Sequence, residues 1–189
     1  MNNYFRNIYN SVKEVIINPS QFWKGQKAVP PGFLQITAGY LLPLILLAAF
    51  CIFAGELIRG SRFYLFFPAM KAVRKILLYV IHYVISVFFT KELMSVFGCS
   101  KNTTVARSLV AFSLTPSLLI SVITGLFPFL YILNILGVYG FYIFSTGVRE
   151  LLLFDEKMEL RYIVAVILVN IILFIILSFL LSKALTAIL

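Results

Sequence analysis

Charge is scarce in this 189-residue chain: 12% of residues are Asp, Glu, Lys or Arg, where a soluble domain carries about 25%. Acids are rarest, 7 in all, and Asp155 is the sole aspartate. Aspartyl proteolysis inside a membrane needs paired acids and is therefore excluded. Histidine occurs once, at His82, so a zinc hydrolase would lack its other strong ligands. Serines are plentiful, but none lies in a nucleophile motif or has a third group to orient His82. No enzyme activity, catalytic residue, metal or cofactor is expected.

Cysteine is nearly as rare. Cys51 lies in an apolar block and Cys99 in a connecting segment, and this pattern makes neither a disulfide framework nor a zinc site. The first long apolar block starts near Phe33, too far from the amino terminus for a cleaved signal peptide, so an uncleaved chain is expected. Internal repeats of the kind that build many transporters are missing.

Hydrocarbon is what the chain has in surplus. Hydrophobic residues make up 61% and mean hydropathy is +1.00, more apolar surface than a soluble fold can hide. These residues fall in blocks of about 20, the length at which a helix rising 1.5 Å per residue crosses a hydrocarbon core of about 30 Å. The expectation is an all-α, polytopic integral membrane bundle of about five transmembrane helices, over residues 33–189, preceded by an amino-terminal interfacial segment, 1–32.

Within that first segment Tyr4, Phe5, Ile8, Tyr9, Val12, Val15 and Ile16 recur at helical spacing, opposite Arg6, Asn7, Asn10, Lys13 and Glu14. The pattern predicts an amphipathic helix, lying either on the membrane surface or on the protein's own loops. Asn18-Pro19 should end it, since proline cannot continue the hydrogen-bond ladder. Phe5, Tyr9, Phe22, Trp23 and Lys24 are expected as membrane-interface anchors, because such side chains pair an apolar body with a polar end.

Five spans are expected, at about 33–54, 73–90, 105–124, 127–147 and 162–181. Glu56 and Arg59, three apart at the end of the first, suit an interfacial ion pair. Pro43 predicts a kink there and Pro116 a bend in the third, each by withdrawing an amide from the carbonyl four residues back. The second span is read as stopping before Lys91 and Glu92, which as immediate neighbours do not face each other well. Between Arg107 and Arg149 the chain has no formal charge, and one helix of that length would be about twice the bilayer core. It must fold back, and Gly125 and Pro128 mark a tight hairpin.

Small residues repeat along the third span at Ser113, Ser117, Ser121 and Gly125, a groove that lets another helix approach closely; Gly137, Gly140 and Gly147 offer a matching surface on the fourth. Intramolecular packing is the first reading and self-association the second. His82, Asn134 and Asn170 are the polar intramembrane candidates, expected to hydrogen-bond across helices or, alternatively, to line a polar path.

With the amino terminus cytoplasmic, 10 Lys and Arg fall inside and 6 outside, which places the carboxyl terminus outside. The segment Arg59 to Lys75, with Arg62, Phe63, Tyr64, Phe66, Phe67 and Lys71, runs against that rule and is read as lying on the outer surface. The +9 formal charge accordingly points to anionic lipid headgroups, not to a nucleic-acid partner.

Residues 106–151, ARSLVAFSLTPSLLISVITGLFPFLYILNILGVYGFYIFSTGVREL, resemble two adjacent spans of the Ypt/Rab-interacting (Yip-type) membrane protein family at Ala106, Ser113, Pro116, Pro128, Tyr139 and Gly147. Asn18-Pro19 through Trp23 falls where that family places a proline-aromatic element. The resemblance implies a cytoplasmic amino terminus, five spans, and a part in membrane organisation or trafficking through lipids or other membrane proteins. Two departures place binding of a Rab-type GTPase in doubt: the amino-terminal region is reduced to about 32 residues, and Ile-Asn-Pro-Ser-Gln replaces Asp-Leu-Tyr-Gly-Pro. The compact form looks more like the prokaryotic members, whose home is the cytoplasmic membrane. A small transporter or channel subunit, with a path near His82, Asn134 and Asn170, is the alternative.

Overall fold

A computed structural model describes residues 2–28, 31–60 and 65–188; Arg62, Phe63 and Tyr64 of the discordant segment, and the side chain of Tyr4, lie outside what it describes. All regular structure among the described residues is helical. Helix α1 spans Asn2–Ile17 and α2 Pro19–Ala28, with Asn18 alone between them. Pro19 opens α2 where its missing amide costs nothing, and the Asn18 side-chain oxygen accepts from the Gln21 amide.

The first long rod starts as α3, Phe33–Ile36, passes through a π-helical turn at Thr37–Leu41 and continues as α4, Leu42–Arg59. In the wide turn the Leu42 amide reaches back to the Thr37 carbonyl, and Pro43 follows at once in the first turn of α4. The proline is thus accommodated by a π-bulge, without a break. Helix α5, Phe66–Val96, is 31 residues long and extends past both limits expected for the second span, carrying Lys91 and Glu92 inside it. Those neighbours do pair, at 3.1 Å, and Lys101 from the following loop joins Glu92 as well.

The third rod divides as its proline predicts. Asn102 caps α6, Thr103–Ser113, by accepting from the amides of Thr104 and Val105. Leu114 makes a single turn residue, and α7, Thr115–Leu126, resumes with Pro116 in its first turn. Phe127 alone forms the hairpin. The returning rod is one span, as expected, Pro128–Leu151, wound as 3₁₀ helix over Pro128–Val138 and as α-helix over α8, Tyr139–Leu151. The 3₁₀ stretch is kinked at Leu130, whose φ of −85° and ψ of 20° leave helical geometry, and none of its residues is buried. Helix α9, Glu156–Ile188, ends the described chain.

Packing runs in sequence around the bundle, α9 on α5, α5 on α4, α4 on α7, and α7 on the 3₁₀ helix, while α2 lies on α8. The core sits at the end holding the amino-terminal helices, where Val15, Trp23, Ile36, Leu109, Val148 and Tyr162 are fully enclosed. Away from that core Phe129, Ile132, Ile135, Ile172, Ile175 and Phe179 are exposed. An apolar surface this broad would aggregate in water and suits hydrocarbon. Five rods among the described residues are long and apolar enough to cross a membrane: Phe33–Arg59, Phe66–Val96, Thr103–Leu126, Pro128–Leu151 and Lys157–Leu185.

Candidate functional site

Trp23 is the first departure from the expected interface. Its exposure is 0%; its indole N–H donates to the Ile143 carbonyl at 3.0 Å, and it closes on Phe112 at 5.7 Å between ring centroids. Phe22 is buried too, 4.7 Å from Phe112, and Tyr40 meets the same ring at 4.7 Å. Phe22 and Trp23 are therefore corrected from lipid anchors to core residues. The physical reason is Gly147, where a Cβ would stand 2.6 Å from the indole, so only glycine leaves the slot that the tryptophan fills. Lys24 is exposed beside them.

Helix α1 divides its apolar face between the two expected resting places. Ile8, Val12 and Val15 pack on the core, whereas Phe5 is 61% and Tyr9 66% exposed, flanked by exposed Arg6 and Lys13. The protein-facing stripe holds the helix down. The aromatic stripe beside it is exposed, on the side where lipid would lie.

The small residues of the third rod do not share one partner. A Cβ on Gly140 would collide with the Ser113 backbone, and one on Gly137 would stand 3.0 Å from Ser117 Oγ, so these pairs close the expected hairpin contact. Ser121 turns to α5, where Tyr79 Oη lies 3.0 Å away. Gly125 meets α4, pressed against Ile52 and Gly55, and any side chain on Gly55 would run into the Gly125 backbone. Gly147 faces Leu109 and Trp23. A four-residue repeat precesses about 40° per step around a helix of 3.6 residues per turn, so the stripe swings through about 120° over three steps. A single neighbour cannot cover it. Pro116 is buried at the break, and Thr115 next to it pairs its hydroxyl with Tyr40 at 2.7 Å.

His82, Asn134 and Asn170 come together around one cavity of about 220 Å³ lying between the 3₁₀ helix, α8 and α9. Ser113, Ser117, Gly137 and Gly140 line it as well, so the small-residue groove opens into it. His82 bonds across helices, with Nε2 3.3 Å from the Asn170 carbonyl of α9. The asparagine amides do not, which corrects their expected role as interhelical ties. Asn134 donates to Tyr131 and Asn170 to Val166, each on its own rod. An amide that satisfies itself locally needs no partner helix.

The apolar walls of the cavity, Phe141, Phe144, Ile171 and Phe174 among them, carried no polar signal in the sequence. Ser86 was readable, four residues after His82 on the same face, and its Oγ lies 3.3 Å from His82 Nε2. Glu56 bridges Arg59, as its spacing predicts, and also Lys71 of α5.

Five membrane-length rods, a lipid-facing apolar belt and a core of close helix crossings define the chain as an integral, multi-pass membrane protein. The family model for the Yip1 domain matches residues 13–179, nearly the whole chain, and the protein belongs to that family. No curated protein and no solved structure matches it.

Proposed function

We propose that the protein is a non-enzymatic membrane scaffold that binds lipids, and other membrane proteins through its bundle, in membrane organisation or trafficking. One observation carries this reading: α1 is pinned by Ile8, Val12 and Val15 yet leaves Phe5 and Tyr9 outward beside basic residues. A helix held to the bundle by one stripe and inserting another at the headgroup level senses lipid packing and anionic charge.

The test leaves the core intact. Deleting the whole segment through Lys24 would remove Trp23 and unfold the bundle's best-packed end, so the variant is Phe5→Ser with Tyr9→Ser. Fluorescent protein reconstituted into anionic giant vesicles is measured for its enrichment on a pulled membrane tube over the parent membrane. Losing two partly inserted aromatic side chains should lower the enrichment about threefold. Unchanged enrichment rejects α1 as the lipid-sensing element.

A transport role is the second reading, favoured by the meeting of His82, Asn134 and Asn170 at one cavity. The turning of both amides onto their own rods argues against a continuous polar path. Proteoliposomes of the intact protein that move ions or small solutes above protein-free vesicles would favour transport over the scaffold. The amino terminus is assigned to the cytoplasm and the carboxyl terminus to the outside, with the cytoplasmic membrane as the site in a prokaryote.

A further inference from the structure

His82 leaves one hydrogen-bonding atom unused. The residue is 4% exposed, and its Nε2 lies 3.3 Å from both the Asn170 carbonyl and the Ser86 hydroxyl; the hydroxyl can accept as well as donate but the carbonyl can only accept, so satisfying both contacts at once puts the imidazole proton on Nε2. In the uncharged ring Nδ1 is then a lone-pair acceptor, and it is enclosed without a partner. Ser113 Oγ, able to donate or accept, is likewise enclosed and unpaired. Leaving such groups unsatisfied away from water is costly. Both residues line the cavity of about 220 Å³ between the 3₁₀ helix, α8 and α9.

We propose that this cavity binds an uncharged, hydroxyl-bearing amphiphile. The O–H donates to His82 Nδ1, which comes within its reach once the enclosed imidazole turns toward the cavity, and the hydrocarbon lies along Phe141, Ile171 and Phe174, toward the rim where Asn134 and Ile175 are exposed. The chemistry of the walls selects this class. No charged side chain is among the cavity residues, so an ionised headgroup would be unpaired there. A plain hydrocarbon would leave Nδ1 without a donor. Water would satisfy the polar atoms, but an apolar wall of this extent holds it poorly. Size agrees, since a cavity of roughly 150 Å³ already takes benzene. The hydroxyl has two sources, a free long-chain or ring alcohol, or the glycerol hydroxyl of a diacylglycerol. The site deepens the lipid-binding reading and rests on it.

The experiment uses the full chain in nanodiscs of dioleoyl phosphatidylcholine, which has no hydroxyl of its own. A diazirine-bearing long-chain alcohol is photo-crosslinked, and the labelled residues are located by mass spectrometry. Label should fall within 137–144 and 166–175. Dodecanol should compete roughly tenfold better than its methyl ether, the factor an ordinary net hydrogen bond carries. His82→Phe, which removes the acceptor, should bring the two competitors toward parity, while Ile171→Trp, which fills the space and leaves both polar groups in place, should reduce labelling. Stronger competition by dioleoylglycerol than by dodecanol assigns the membrane lipid as the source, and the reverse assigns a free alcohol.

Equal competition by alcohol and ether in the wild type overturns the proposal, as does label indifferent to Ile171→Trp or a cavity with no saturable labelling. Saturable, hydroxyl-selective labelling alongside unchanged tube enrichment of the Phe5 and Tyr9 variant would sustain this site while rejecting lipid sensing by α1. The two readings fail separately.

Discussion

At the scale of single residues the bundle is held by shape more than by polarity. Trp23 is fully enclosed and hydrogen-bonded, so Trp23→Ala should cost about 3–5 kcal/mol, while Tyr9→Ala on the exposed stripe should stay within about 0.5 kcal/mol. Thermal unfolding in detergent would measure both, and similar shifts would contradict the burial described here. Glycine makes the same contrast. Gly55→Ala forces a Cβ into the Gly125 backbone where α4 crosses α7, and should lower the yield of folded, monodisperse protein sharply. Gly25→Ala meets nothing within 4 Å and should be silent. The ion pairs at Glu56 and Glu159 are partly exposed and add about 0–1 kcal/mol each.

At the scale of elements the prolines act differently according to what surrounds them. Pro43 is absorbed by a π-bulge in an otherwise continuous rod, whereas Pro116 coincides with a division into α6 and α7. The division is locked from both sides, since Phe112 is gripped by the aromatic cluster and Leu118 is fully buried. Pro116→Ala should therefore leave the bend in place, read as an unchanged spin-label distance between positions 107 and 123. A lengthened distance would mean that the proline itself maintains the bend. Tyr40→Phe removes the hydroxyl that pairs with Thr115 and should cost about 1 kcal/mol in the same detergent unfolding assay.

At the scale of the whole molecule, five crossings, an odd number, would put the two termini on opposite sides, as the proposed orientation requires. Reporter fusions that are active only in the cytoplasm or only outside it should give opposite signals at the two ends, amino terminus inside. Equal signals would mean that one of the five rods does not cross. The amino-terminal helices, the loop 97–102 and the loop 152–155 gather at one end of the bundle, where Ser20 of α2 donates to Glu150 at 3.1 Å. The opposite end carries the ion pairs of Glu56 with Arg59 and Lys71, so charge marks both ends of the bundle.

The linear chain by itself determined that there are five membrane-length rods, a hairpin near Phe127, an amphipathic first helix, and a division of the third rod at Pro116. Each follows from a one-dimensional quantity, either the length of an apolar run against the thickness of hydrocarbon or the absence of one amide. Only the tertiary structure decided which neighbour each side chain meets: Trp23 against Gly147 instead of headgroups, Gly125 against α4 instead of the hairpin, Asn134 and Asn170 turned onto their own rods. Hydrocarbon offers an apolar side chain nearly the same environment as another helix does, so periodicity alone carries little record of which face is covered, and close steric fit makes the choice.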